Sequence, residues 1–227
     1  MFLPLHDRNP IVNIRAPYVN YGLIAVTVLV FLYQQSLAPQ AFDHVVLGFG
    51  MIPIVVRDLF PEPIAFVPDE VTLVTYAFLH ADWMHLLSNM LFLWIFGDNI
   101  EDALGHWAYA LFYLGCAALA ALAYLMFNFD SNAPLIGASG AVAGVMGAYA
   151  VLFPWARVFV LARVVLFLPI PVPAIVMLGL WLAIQLFYAL AGSDEMIAWW
   201  AHIGGMAVGV AVGLLVRRML PHRVARS

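Results

Sequence analysis

Residues 106–127 read HWAYALFYLGCAALAALAYLMF, an unbroken apolar run without Asp, Glu, Lys, Arg or Pro. A helix rising about 1.5 Å per residue needs about 20 such residues to cross the roughly 30 Å hydrocarbon core of a bilayer. This stretch therefore decides the solvent: the chain is expected to sit in lipid. Working outward on the same criterion, five further runs emerge, and the set is 18–36, 82–98, 106–127, 136–153, 172–191 and 196–216. The expected fold class is all-α, a polytopic membrane protein with a six-transmembrane-helix bundle. No internal repeat or low-complexity tract divides the chain, so one compact domain over 1–227 is expected.

Composition agrees. Of 227 residues, 65% are hydrophobic and 10% are charged, and the mean hydropathy is +0.97. The formal charge of -4 is too small to suggest a nucleic-acid partner. The single Cys116 permits no intrachain disulfide and reads as a small core hydrophobe.

The basic residues, nine in all, are all arginine. Arg8 and Arg15 precede the first run, Arg157 and Arg163 follow the fourth, and Arg217, Arg218, Arg223 and Arg226 follow the sixth, while Arg57 falls on the other side. By the positive-inside rule both termini are expected to be cytoplasmic. The first run is longer than a signal-peptide core and is expected to be retained as an anchor. The loop at 37–71, interrupted by Pro53, Pro61, Pro63 and Pro68, is expected to lie in the interface as short amphipathic pieces. Residues 158–173 are apolar yet carry Arg163, Pro169, Pro171 and Pro173, which places them at the cytoplasmic surface ahead of the fifth run.

A polar side chain inside a span needs a partner or a water-filled cavity, and so marks a functional site by default. Three clusters qualify: His80, His85 and Asn89 at the opening of the second run, Gly137, Ser139 and Gly140 at the opening of the fourth, and His202 early in the sixth. His85 and Asn89, four apart, are offset by about 40° and about 6 Å on a helix and present two donors to one point. His80 and His85, five apart, are offset by roughly 140° on a continuous helix, which argues against a two-histidine metal clasp. Gly140 with Gly144, and Ala201 with Gly205, Gly209 and Gly213, form small-residue stripes that permit close backbone approach. If the stripes face each other, the Ser139 hydroxyl meets the His202 ring, giving a nucleophile with an adjacent base. The helix start at Ser139 supplies backbone N–H groups suited to an oxyanion. Taken singly, each element has a structural alternative: glycine faces for packing, an intramembrane histidine bonding a carbonyl, His85 and Asn89 as interhelical glue, Trp199 and Trp200 as an aromatic belt. Gln185 in the fifth run either lines the cavity or bonds a neighbouring helix, the second being favoured.

The motifs His80-x4-His85-x3-Asn89, Gly137-x-Ser139-Gly140 and Ala201-His202-x-Gly204-Gly205, in that order, resemble those of the rhomboid family of intramembrane serine proteases. The resemblance implies a six-helix bundle and a serine endopeptidase that cuts transmembrane segments of membrane-protein substrates entering between the second and fifth spans. It implies Ser139 as nucleophile and His202 as general base. It implies an oxyanion pocket supplied by His85, Asn89 and the Ser139 amide, supported by His80, Gly137 and Gly140. It also implies a structural role for Glu101. No metal and no cofactor are implied, and the partners are protein substrates and the lipid bilayer. An inactive rhomboid-like protein that binds transmembrane helices is the alternative, and its expected signature, loss of Ser139 or His202, is absent. Two features depart from the family's pattern: no Trp-Arg dipeptide occurs in the first loop, and Ala143 stands where some members place an aromatic residue against the base, so something else is expected to orient His202. The expected location is a prokaryotic inner membrane.

Overall fold

The computed structural model describes residues 2–57, 66–162, 169–192 and 197–224. Expectations that rest on Arg163 or Arg226, on Pro61 and Pro63, or on Met196 as the start of the sixth span, lie outside these residues. The chain is mostly helical. In order it runs β1 (Phe2–Asp7), α1 (Tyr18–Ser36), α2 (Pro39–Phe49), α3 (Pro53–Val56), α4 (Asp69–Thr75), a 3-10 turn (Tyr76–Phe78), α5 (Trp83–Leu104) and α6 (His106–Phe127). There follow α7 (Ser139–Leu152), β2 (Arg157–Ala162), β3 (Pro169–Pro173), α8 (Ala174–Ala191), α9 (Trp199–Met219) and α10 (Pro221–Val224).

Helices α1, α5, α6, α7, α8 and α9 stand at the six predicted positions. Among the described residues α1, α6, α8 and α9 are long and apolar enough to cross a membrane, and α7 is apolar over 14 residues. Helix α5 runs 22 residues and continues past the predicted end of its span at Asp98, carrying Glu101 and Asp102 beyond it. The apolar run measures hydrocarbon thickness, whereas the helix continues for as long as its backbone bonds are satisfied. Helix α7 begins at Ser139 rather than Ile136, because Gly137 has φ +117, a left-handed region that no helix contains.

The buried acidic pair explains the extension of α5. Asp102 accepts the backbone N–H groups of Val12 (3.1 Å), Asn13 (2.6 Å) and Ile14 (2.9 Å) and the Asn13 side-chain amide (2.9 Å). Glu101 accepts from Val19 N–H (3.0 Å) and Asn20 N–H (2.7 Å) in the first turn of α1, and pairs with His106. A carboxylate at a helix start satisfies orphan donors and meets the positive end of the dipole. Both carboxylates are fully buried, and with these partners they hold the segment before α1, and α1 itself, to the arginine-bearing end of the bundle.

Residues 157–162 and 169–173 do something the sequence reading did not foresee, forming with β1 a three-stranded antiparallel sheet of order β1-β2-β3. Leu3 pairs with Leu161 and Pro4 with Val160, while Val158 pairs with Val172 and Val160 with Ile170. The prolines of β3 fall at alternate positions 169, 171 and 173, so Ile170 and Val172 turn their N–H groups toward β2 and the proline nitrogens face outward. Asp7 bonds the Tyr149 hydroxyl of α7, tying the sheet to the bundle.

The centre of the bundle is the contact of α7 with α9. A Cβ added at Gly205 would fall on the Gly140 carbonyl, and one at Gly209 on the Gly144 carbonyl, while Gly213 lies against Ala148. The two glycine stripes therefore face each other, backbone to backbone, as the i, i+4 spacing predicted. Helix α6 closes the other side of α7, with Ala120 at Gly140 and the buried Cys116 at Gly144.

Candidate active site

Each polar cluster reaches the same end of the bundle by a different local device. Ser139 is the first residue of α7, after the positive-φ turn at Gly137. A side chain at Gly137 would place its Cβ 2.5 Å from both Cε1 and Nε2 of His85, so the bare glycine lets that ring approach two residues from Ser139. The Gly137 N–H donates to the Tyr76 carbonyl at 3.0 Å, and the Tyr76 hydroxyl donates to the Ala117 carbonyl at 2.9 Å. This pins the entry to α7 against α6 and the 3-10 turn.

Helix α5 starts where Asp82 accepts the His85 N–H at 2.8 Å, an N-cap in the usual manner. His80 lies before that cap in non-helical backbone, held by the Gln34 amide, whose Oε1 accepts the His80 N–H at 3.1 Å and whose Nε2 donates to the His80 carbonyl at 3.4 Å. For this reason the helical offset predicted between His80 and His85 does not apply. Their rings meet edge to face at 4.9 Å. Asn89 Nδ2 donates to His80 Nε2 at 3.1 Å, and the Ala138 N–H approaches the same nitrogen at 3.4 Å. The reading of Asn89 as a donor aimed jointly with His85 is thus corrected in part: one of its amide hydrogens is committed to His80, and a carboxamide has two. Among the described residues no group of three His, Cys, Asp or Glu side chains is placed to hold a metal ion.

The seam between α7 and α9 then brings the remaining pair together. His202 Nε2 lies 2.8 Å from Ser139 Oγ. Gly140 and Gly205 make this possible, since any side chain at Gly205 would push the helices apart one residue from Ser139. The His202 ring is buried, with Trp181 of α8 tilted beside it at 5.6 Å and Trp199 edge-on at 6.2 Å. Trp200 turns away and stacks on Phe127 at 3.7 Å.

Gln185 is the residue whose place the sequence left open. Its Oε1 lies 2.7 Å from His202 Nδ1, and it is buried at the same depth. It both bonds a neighbouring helix and lines the site. Trp181, Gln185 and Tyr188 recur at i, i+4 and i+7, the face that α8 turns toward α9. A polar residue in an apolar run announced that a partner existed, and the periodicity of α8 named the face; the identity of the partner required the packing of α8 on α9.

A model of the Rhomboid domain matches residues 68–219. Rhomboid protein 1, mitochondrial, of Saccharomyces cerevisiae is 30% identical over 162 residues, which cover 67% of this chain and 44% of that protein. RHOMBOID-like protein 12, mitochondrial, of Arabidopsis thaliana is 30% identical over 65% of this chain and 46% of its own length. Rhomboid-like protein 11, chloroplastic, also of Arabidopsis thaliana, is 44% identical over 31% of this chain and 25% of its own. The chain thus spans less than half the length of the curated relatives it matches. The expectation of a prokaryotic inner membrane with cytoplasmic termini is overturned by these matches, which are to mitochondrial and chloroplastic proteins of eukaryotes. Arginine sorting orders the two sides of a membrane relative to each other and carries no information on which membrane it is. With the domain match covering most of its length, the chain belongs to the rhomboid family.

Proposed function

We propose that this rhomboid is an intramembrane serine endopeptidase, working in an organellar membrane, whose substrates are transmembrane helices of other proteins. The observation that carries the reading is the 2.8 Å approach of Ser139 Oγ to His202 Nε2 in a buried site. In this mechanism the Ser139 hydroxyl donates its proton to His202 Nε2 as Oγ attacks the scissile carbonyl carbon. The imidazolium returns that proton to the leaving amine, an ester to Ser139 remains, and water cleaves it by the same two transfers in reverse. The negative oxygen of each tetrahedral intermediate falls at the start of α7, where the Ser139 N–H, the His85 ring and the second Asn89 amide hydrogen are the candidate donors. His80 holds Asn89, and Gly137 and Gly140 admit His85 and α9 to the site.

The proposed entry lies between α5 and α8. Helix α8 buries only Ala174, Met177, Leu178 and Gln185, and exposes Phe187 and Leu190, which suits a helix that moves aside for a substrate. A single domain over 1–227 with six spans is part of the same proposal.

The test is incubation of the purified chain with a fluorophosphonate probe, followed by mapping of the labelled residue. A label on Ser139, lost in both Ser139→Ala and His202→Ala, is the expected result. Cleavage of a transmembrane reporter should vanish in either variant and fall no further in the double variant, because residues acting as one unit are not additive. Reporter cleavage by Ser139→Ala would overturn the serine mechanism. Specific reporter binding without cleavage or labelling by the unaltered chain would make it a helix binder.

A further inference from the structure

We infer that Gln185 is the positioning residue of His202, supplying from α8 the orientation that no side chain of α7 provides. The inference rests on the protease reading of Ser139 and His202.

His202 is bonded on both sides of its ring, Nε2 toward Ser139 Oγ at 2.8 Å and Nδ1 toward Gln185 Oε1 at 2.7 Å. A neutral imidazole carries one N–H and one lone pair. For Nε2 to receive the serine proton it must hold the lone pair, so the ring proton belongs on Nδ1, where it needs an acceptor. The carbonyl oxygen of a carboxamide is such an acceptor, and Gln185 is 5% exposed, so water does not compete for the bond. The amide thereby selects the productive tautomer and fixes the rotation of the ring. The residue one turn past Ser139 is Ala143, fully buried and without a ring to stack on His202. The rings of Trp181 and Trp199 flank the imidazole and restrict its tilt, but neither offers an acceptor to Nδ1. Among the described residues, it is Gln185 Oε1 that stands within hydrogen-bond distance of that nitrogen.

The choice of an amide over a carboxylate follows from the solvent. A carboxylate in the span would add a formal charge to the hydrocarbon region, whereas an amide meets the same N–H without one. It gives orientation and tautomer selection without the charge that would stabilise an imidazolium.

Two measurements on the full chain in detergent decide the matter. In 15N-histidine NMR, His202 should carry its proton on Nδ1 and its lone pair on Nε2. The Gln185→Leu variant, similar in size and without an acceptor, should show a mixture of tautomers. Its kcat on a transmembrane reporter should fall roughly 10- to 100-fold, on the scale of losing a partner that orients a metal-bound histidine, with KM little changed. Gln185→Glu, which keeps an acceptor oxygen at the same reach, should recover most of that loss. The packing role alone predicts the reverse: Leu tolerated, with no change of tautomer. Equal Ser139 labelling rates in unaltered protein and Gln185→Leu would overturn the positioning role and leave the protease reading intact. An unaltered chain that fails to label at all would remove the protease reading, and the tautomer measurement would still decide whether Gln185 sets the His202 ring. The Nε2–H tautomer in the unaltered protein overturns the inference in either case.

Discussion

Helix α9 has two unlike sides. Against α7 it lies backbone on backbone, with Gly205 and Gly209 on the carbonyls of Gly140 and Gly144. Against α8 it is met by side chains, Trp181, Gln185 and Tyr188, the last stacked on Trp199 at 5.0 Å. The first side fixes where the imidazole stands relative to the serine. The second fixes how it is turned. A contact of main chains cannot be adjusted by a rotamer, so distance is set rigidly; a contact through one amide and two rings leaves α8 free to shift while the pair keeps its spacing.

The sharpest way to break this comparison is to put one carbon into the seam. Gly209→Ala places a Cβ on the Gly144 carbonyl, and no rotamer relieves it. Ordinary overpacking costs about 1–3 kcal/mol, and the loss here should exceed that range because the obstacle is backbone. Thermal unfolding in detergent reads it directly; an unchanged melting temperature would mean that the helices do not approach as described.

An intermediate effect is expected far from both sides of α9. Asp102→Ala strands the part-buried N–H groups of Val12, Asn13 and Ile14, and because Val12 and Asn13 are exposed, water recovers much of the about 1–3 kcal/mol that each would cost as a buried unpaired donor. The expected loss is about 2–3 kcal/mol in total, with faster amide exchange at residues 12–14. Fluorophosphonate labelling per folded molecule should stay unchanged. A fall in that rate would show that the arginine-bearing end helps to set the spacing that the seam is held to control.

The smallest effect belongs to the outer face of α8. Leu190 is 76% exposed, and Leu190→Ala should change stability by no more than about 0.5 kcal/mol. A larger loss, measured in the same unfolding assay, would mean that α8 is held more tightly than its four buried residues indicate.

Much of this was legible in the sequence, and the boundary is physical. The glycine stripes were readable because small residues at i, i+4 on two apolar helices leave few other uses for that face. Ser139, His202, His85 and Asn89 stood out because lipid makes polar side chains conspicuous. The limits of α1 and α6 followed from apolar length alone. The end of α5 did not, since Asp98, Glu101 and Asp102 look like the edge of a span while the helix continues on buried carboxylate contacts. The meeting of the His80 and His85 rings was hidden because Gln34, in another helix, holds His80 off the helical path. The sheet was hidden for a similar reason: β1 and β2 are separated by most of the chain, and three prolines in β3 argue against a strand unless it lies at an edge.

Those prolines have one more effect, on how copies of this protein meet. A free sheet edge is a template on which another chain can add a strand, and templating needs alternating donors and acceptors along that edge. The outward positions of β3 are Pro169, Pro171 and Pro173, which offer carbonyls and no donor. On that side the ladder stops at three strands, and neighbouring molecules crowded in the same membrane find nothing there to polymerise on.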